Sequence, residues 1–267
     1  MLPPAVQRSS PPAPCPSLCQ IIARMLAVTA FSLLAPVLVW LCLPAPAYPL
    51  SVLQQLGLSP SCYTGLLTVL APLLLTGALF LGPLLELALR ACAGLPSLQV
   101  WGLPPLHLLR ALVVAPVLEE WVFRACSAPL WRAAGASHAA AILATCASFG
   151  LVHAHHYWEL VRSGTPPASA LRTCALQVGY TSLFAAIAAH AFQLTGSLLG
   201  IVAAHALANA IGLPSTAFLS SHHPLHWARG LIAAAYATGI AAFFWLGRPS
   251  SSLWGGDAHC ALYPAHL

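Results

Sequence analysis

Charged side chains are so scarce in this sequence that the chain cannot fold as a water-soluble globule. Only 6% of its 267 residues are charged and 59% are apolar, and the mean hydropathy is +0.83. A soluble domain carries about 25% charged residues, because its surface must be solvated. The surface of this chain must therefore face lipid. Since an open sheet edge leaves backbone groups unpaired in hydrocarbon, we predict that the spanning elements are helices.

Apolar segments close to the length needed to cross a bilayer recur along the chain. They predict an all-α, polytopic membrane helix bundle of about seven helices around a polar intramembrane cavity. The predicted helices cover approximately residues 25–43, 63–89, a segment beginning near Arg110, 137–152, 172–189, 197–211 and 228–246.

The chain is predicted to form one transmembrane domain with short tails. Residues 1–22 are rich in Pro and Ser and are predicted to be disordered, because Pro interrupts any helix there. Residues 23–247 form the transmembrane domain, and residues 248–267 form a short C-terminal tail. The Arg residues stand singly near segment ends, which is typical of polytopic proteins oriented by cytosolic positive charge. A nucleic-acid site would group them on one face, so we expect no nucleic-acid partner.

Two adjacent carboxylates, Glu119 and Glu120, lie inside an otherwise apolar helix. A charged group at membrane depth costs roughly 2.5–3.5 kcal/mol on insertion scales, so it persists where it is paired or lines a wet cavity. Glu120 and Arg124 are four residues apart and can form an ion pair on one helix face. Glu119 points about 100° away around the helix. The pattern favours a structural Glu120 and a reactive Glu119, with a purely structural charge cluster as an equal alternative.

Two further pairs of polar or aromatic residues have helical spacing. Phe149 and His153 are four residues apart, as are His205 and Asn209. Imidazole can move protons near neutral pH, and a neutral His and a carboxamide can both donate hydrogen bonds to an oxyanion. Either pair alone could be a polar contact between helices. In the predicted topology, however, both pairs and Glu119 converge at the cytosolic side of the bundle.

Missing residue types exclude several hydrolytic mechanisms. The single Asp lies in the C-terminal tail and cannot form an aspartyl dyad, and a Ser–Lys dyad is impossible without Lys. Neither G-x-S-x-G nor H-E-x-x-H occurs, and the nine Cys form no C-x-x-C pair. The hydrolytic mechanism that remains is attack by a water molecule that glutamate and histidine activate. We interpret the following histidines as interfacial or loop residues without a catalytic role: His155, His156, His190, His222, His223 and His226.

Three motifs carry a resemblance to a known family. They are E-E-x-x-x-R at 119–124, F-x-x-x-H at 149–153 and H-x-x-x-N at 205–209. In this order they resemble the motifs of the CaaX-processing and bacteriocin-immunity glutamic proteases. The flanking runs E-E-W-V-F-R-A-C and F-G-L-V-H-A-H-H make the chain most similar to the eukaryotic type II CaaX prenyl endopeptidases, over roughly residues 60–215.

The resemblance implies a peptidase that removes the C-terminal tripeptide from CaaX proteins carrying a farnesyl or geranylgeranyl group, such as small GTPase-like tails. It implies that Glu119 and His153 activate water. It also implies that His205 and Asn209 stabilise the oxyanion. The implied supporting residues are Glu120, Arg124 and Phe149.

The resemblance also implies a location and a helix number. The family resides in the endoplasmic reticulum membrane as a multi-pass protein whose active site faces the cytosol, with eight helices rather than seven. It implies membrane lipid as a partner, and neither a cofactor nor a metal ion.

Two other interpretations stay open at this point. A zinc-dependent membrane metallopeptidase could use Glu119, His153 and His205 as ligands, with water in the fourth position. A non-enzymatic membrane adaptor or a proton-coupled carrier could use Glu119 as a proton relay. The paired repeats that are common in carriers do not occur in this sequence.

Overall fold

The computed structural model describes residues 18–42, 52–58, 66–95 and 102–248. Within these ranges every regular element is helical, which confirms the predicted all-α membrane helix bundle. The helices are α1 (Leu18–Cys42), α2 (Val52–Gln55), α3 (Leu66–Leu79), α4 (Leu81–Cys92), α5 (Pro105–Leu109), α6 (Ala115–Glu120), α7 (Ser127–Ala133), α8 (His138–Val152), α9 (His156–Arg162), α10 (Pro167–Thr195), α11 (Leu198–Ile211) and α12 (Arg229–Leu246).

The predicted tails lie almost wholly outside the described residues, so the division into one domain and two tails stays a prediction. α1 begins at Leu18, within the segment assigned to the N-terminal tail.

Several of the helices are apolar enough to be surrounded by lipid. Among the described residues, α10 and the segment His226–Leu246 are each long and apolar enough to cross a membrane, and α3 with α4 adds a third span if the bent pair counts as one. Large apolar side chains such as Leu143, Leu176 and Phe244 keep about two thirds or more of their surface exposed on the outside of the bundle. Such exposure suits hydrocarbon rather than water. The chain is a multi-pass membrane protein.

The predicted helix at 63–89 is bent rather than straight. α3 and α4 meet at Phe80 with a bend of 75°. Pro83 has no backbone N–H for the carbonyl of Leu79, and its ring opposes continuation of the helix. Next to it, a Cβ atom on Gly82 would lie 2.2 Å from the Tyr236 ring, so only glycine lets α12 pack this closely. The bend thereby sets α4 against α12.

The segment of residues 105–133, here called the site helix, changes its winding twice. It starts at Pro105, where a missing N–H costs nothing because the first-turn donors are unpaired anyway. π-helical turns at Arg110–Val114 and Trp121–Cys126 lie on either side of α6. The prediction placed this start near Arg110 because two prolines in succession indicate a loop. π turns occur often at functional sites, and both carboxylates of interest lie between these two.

α10 is longer than the predicted 172–189. It begins at Pro167 in the first helical position and ends at Thr195, and the capping residue Gly196 has a φ of +62°, the left-handed conformation that closes a helix. The prediction from apolar residues was too short, because the helix also includes polar residues at both of its ends. The predictions for α8, α11 and α12 agree with the structure within about two residues.

Close packing of helices fixes the parts that carry the site. α8 runs along α10, and a Cβ on Gly150 would lie 2.0 Å from the Ser182 hydroxyl oxygen of α10. α11 packs on α3, and α1 packs on the second π turn. There the Trp121 indole N–H donates to the Ser32 carbonyl at 3.0 Å. The site helix is therefore held between α1 and α11, and α8 is held against α10.

Candidate active site

Glu120 and Arg124 form the ion pair that their spacing predicted. Arg124 Nη1 lies 3.1 Å from Glu120 Oε1, and neither side chain exposes any surface. The guanidinium also lies over the Phe149 ring, 4.5 Å from its centroid. A cation–π contact is stronger when it is shielded from water, as it is in this buried position. Within the described part of the chain, Glu120 Oε2 and two Arg124 nitrogens have no hydrogen-bond partner. The pair is therefore joined by one hydrogen bond, from Nη1 to Oε1, and by its opposite charges.

Glu119 lies one residue earlier and has a different environment. Its side chain keeps 32% of its surface exposed, whereas Glu120 has none. Its nearest opposite partner is the His205 imidazole, with Nε2 lying 3.8 Å from Glu119 Oε2. Glu120 is thus buried in an ion pair, whereas Glu119 is accessible.

The His205 imidazole bridges these two carboxylates, which the sequence did not indicate. His205 Nδ1 lies 2.6 Å from Glu120 Oε1. Because Glu120 pairs with Arg124 as a carboxylate, the bond assigns the hydrogen to Nδ1 and Nδ1–H donates. Nε2 then carries a hydrogen only when His205 is an imidazolium.

His153 begins the short 3₁₀ turn His153–His155 that follows α8. Its Nδ1 lies 2.8 Å from the Phe149 carbonyl oxygen, so Nδ1–H donates to the backbone and Nε2 keeps a free lone pair. The His153 ring lies 5.1 Å from the Phe149 ring, and the His205 ring lies 6.3 Å from that same ring. Both imidazoles and the Arg124 guanidinium thus pack around the Phe149 ring.

Asn209 is fixed by a backbone carbonyl on the site helix. Its Nδ2 donates to Ala111 O at 2.9 Å. In the first π turn the Ala115 N–H bonds to Arg110 O. The next donor in that register would belong to residue 116, which is proline and has no N–H. The carbonyl of Ala111 is left without a helical donor, and the Asn209 amide replaces it.

The structure brings the predicted site residues into one connected group. The contacts run from Glu119 to His205, from His205 to Glu120 and from Glu120 to Arg124. The Phe149 ring joins His153 to this series, and Asn209 lies one turn beyond His205.

Three further residues of the site were not predicted from the sequence: Ala111, Pro116 and Phe184. The Phe184 ring packs 4.7 Å from the His205 ring. Their backbone and aromatic roles leave no polar signal. His190 and His223 lie elsewhere, against Gly247 O and Glu86.

A three-ligand metal geometry does not arise from Glu119, His153 and His205. Among the residues that the structure describes, the one group of three ligand atoms lying within 4.8 Å of one another belongs to His155, His156 and Glu159. His205 also commits its Nδ1 to Glu120.

Comparison with known proteins adds an independent observation. The family model described as type II CAAX prenyl endopeptidase Rce1-like matches residues 101–211, which contain all of the predicted site residues. The resemblance to the type II CaaX prenyl endopeptidases is confirmed. The CAAX prenyl protease 2 of Homo sapiens is 35% identical over 205 residues, covering 72% of this chain and 61% of the relative. The CAAX prenyl protease 2 of Arabidopsis thaliana is 36% identical over 135 residues, covering 50% of this chain and 41% of the relative.

The Schizosaccharomyces pombe relative, named as a probable CAAX prenyl protease 2, is 32% identical over 161 residues, covering 55% of each chain. The chain therefore spans between about two fifths and three fifths of the length of these curated relatives. No solved structure gives a significant match.

Proposed function

We propose that this chain is an intramembrane endopeptidase that removes the C-terminal tripeptide from prenylated CaaX proteins. The names of the relatives and the matched family model support this proposal. The observation that carries it is the contrast between the two adjacent carboxylates. Glu120 is buried and locked to Arg124, whereas Glu119 is partly exposed and faces the imidazole of His205.

The proposed chemistry is hydrolysis without a covalent intermediate. Glu119 removes a proton from a water molecule that His153 holds through its free Nε2. The hydroxide oxygen bonds to the carbonyl carbon of the scissile peptide, and the carbonyl oxygen becomes an oxyanion. When the oxyanion collapses, the C–N bond breaks, and Glu119 returns the proton to the leaving amine of the tripeptide.

The oxyanion would be held by two donors from α11. His205 offers Nε2–H when both of its ring nitrogens carry a hydrogen, and the Glu120 carboxylate fixes the orientation of the ring through Nδ1. Asn209 offers its second amide N–H, because its first is bonded to Ala111 O. Loss of one oxyanion donor typically lowers kcat by about 10²–10³-fold.

The lipid environment supports a prenylated substrate and a membrane location. A farnesyl or geranylgeranyl chain enters the bilayer, which concentrates the attached protein tail beside a site built into membrane helices. We place the protein in the endoplasmic reticulum membrane with its site open to the cytosol. Arg110, Arg162 and Arg172 lie near the ends of the helices that carry the site. They support this orientation, since cytosolic loops carry the excess positive charge.

A cleavage assay tests the proposal. The purified full chain in lipid nanodiscs should release a tripeptide from a farnesylated CaaX peptide, and not from the same peptide without its prenyl group. Glu119→Gln should lower release by about 10²–10⁴-fold, the usual contribution of a general base. Glu86→Gln is the matched control, because Glu86 pairs with Arg90 on α4, outside the group. Equal release by the Glu119→Gln variant and the wild type would refute the assignment.

The same assay separates the proposal from a zinc metallopeptidase. Release should survive prolonged treatment with EDTA, since water activation is assigned to Glu119 and His153 themselves. Release abolished by EDTA and restored by Zn²⁺ would favour a metal-dependent mechanism instead.

A further inference from the structure

We propose that His155, His156 and Glu159 form a binding site for a first-row transition-metal cation such as Zn²⁺. The three side chains lie at the junction of the His153–His155 turn and α9. One ligand atom from each lies within 4.8 Å of the other two. None of these three residues belongs to the group around Glu119 that the proposed peptidase mechanism uses, and the inference does not depend on that activity.

The chemistry of the three donors selects the class of ion. Two imidazoles and one carboxylate form the His₂Glu ligand set of open zinc sites, in which water completes the coordination. Imidazole nitrogen suits Zn²⁺, Cu²⁺ and Ni²⁺, whereas Mg²⁺ and Ca²⁺ prefer all-oxygen sites. The cluster therefore predicts binding of Zn²⁺ but not of Mg²⁺.

His155 already has the tautomer that a metal ligand needs. Its Nδ1 lies 2.5 Å from the Val152 carbonyl oxygen, so Nδ1–H donates to the backbone and Nε2 is left unprotonated. Metal-binding histidines usually donate their second ring N–H to a carbonyl or a carboxylate in this way, which fixes the ring and its basicity. The backbone at the end of α8 thus prepares His155 Nε2 as a ligand.

His156 and Glu159 supply the other two ligands from one turn of α9. His156 Nδ1 lies 2.9 Å from Glu159 Oε2, and the His155 and His156 ring centroids lie 4.0 Å apart. A tetrahedral ion with 2.0–2.1 Å bonds needs ligand atoms roughly 3.3 Å apart. Small side-chain rotations therefore suffice, and the cation would replace the proton that lies between Nδ1 and Oε2.

The position of the cluster makes it accessible to an ion from solution. The side chains of His156 and Glu159 expose 33% and 42% of their surface, and His155 is exposed as well. The sequence predicts His155 and His156 to be interfacial residues. In the structure their rings also contact each other, and Glu159, three residues after His156, contacts the His156 ring.

Titration of the purified full chain with Zn²⁺ alone tests the site. The protein carries a histidine-free affinity tag and is freed of metal with EDTA before isothermal titration calorimetry. We expect a saturable site of one Zn²⁺ per chain with a dissociation constant in the micromolar range. His156→Ala should weaken binding by about tenfold or more, as loss of a metal-site residue does. Glu159→Gln should weaken it in the same direction.

His222→Ala is the matched control, because His222 is an exposed histidine in the loop before α12. It should leave the titration unchanged. Circular dichroism confirms that each variant keeps its helices, and Co²⁺ titration should give the intense visible absorption of a four-coordinate ion. The proposal is overturned if Zn²⁺ binds the wild type without saturation, or if His156→Ala in a folded protein binds as tightly as the wild type. No peptide cleavage is measured, so failure of the peptidase proposal would leave this result unaffected.

Discussion

The His205 imidazole is tied through Nδ1 to the same Glu120 oxygen that binds Arg124, at 2.6 Å. This bond fixes the orientation of the ring and directs Nε2 toward Glu119. Glu120 therefore acts through His205, and its contribution can be measured apart from that of Glu119.

Glu120→Gln should lower kcat roughly 10–100-fold with little change in KM. Glutamine keeps the size and an acceptor oxygen but weakens the charge-assisted hydrogen bond that orients His205, a donor that matters most in the transition state. Steady-state kinetics with a farnesylated peptide measures both constants, with Glu86→Gln as the control. An increase in KM at constant kcat would instead indicate a role in substrate binding.

Arg124→Met should destabilise the protein, because it leaves the fully buried Glu120 carboxylate without its cation. Removal of one partner from a buried ion pair costs about 3–5 kcal/mol. The double variant Glu120→Gln/Arg124→Met should recover part of this loss, since it buries no unpaired charge. Unfolding in a denaturant series in detergent measures the three variants. A double variant less stable than both single variants would contradict a charge-based account of the pair.

Spacing within one helix was the part of the site that could be predicted from the sequence. Glu120 and Arg124 are four residues apart, and helical geometry alone puts them on one face. The bond from His205 to Glu120 joins residues that are 85 positions apart. Whether such residues meet depends on how α11 packs against the site helix, and no local pattern encodes that packing.

The fold shows the same division between local and long-range information. Apolar runs predicted the helices, because a helix that is surrounded by lipid needs apolar side chains. The bend at Phe80 and the contact from Asn209 to Ala111 depend on backbone donors that Pro83 and Pro116 remove. A proline is visible in the sequence, but the group that replaces its missing bond is visible only in three dimensions.

Pro116→Ala should lower kcat about tenfold without lowering the unfolding temperature, because the new N–H can bond within the site helix and compete with the Asn209 amide for its carbonyl partner. Asn209 would then lose the contact that positions it. Pro105→Ala is the matched control, since a first-turn proline replaces a donor that has no helical partner. Kinetics and thermal unfolding of both variants check the prediction. If Asn209→Ala is inactive while Pro116→Ala keeps full activity, the bond to Ala111 does not position Asn209.

Gly150→Ala should lower both stability and activity, because α8 and α10 touch at this glycine. A methyl group there would lie 2.0 Å from Ser182 Oγ and 3.2 Å from the Val178 carbonyl oxygen. The hydroxyl can rotate away, but the carbonyl belongs to the backbone, so α8 must move. Such overpacking costs typically 1–3 kcal/mol, and it would displace His153, which lies less than one turn further along the chain.

Gly179→Ala is the matched control on α10, since nothing lies within 4 Å of the added Cβ and alanine favours a helix over glycine by about 1 kcal/mol. It should keep its activity and gain slightly in unfolding temperature. Ser182→Ala added to Gly150→Ala should restore part of the lost stability, because it removes the shortest of the three close contacts, the one with Ser182 Oγ. If the folded Gly150→Ala variant cleaves the farnesylated peptide at the wild-type rate, the position of His153 does not depend on the contact between α8 and α10.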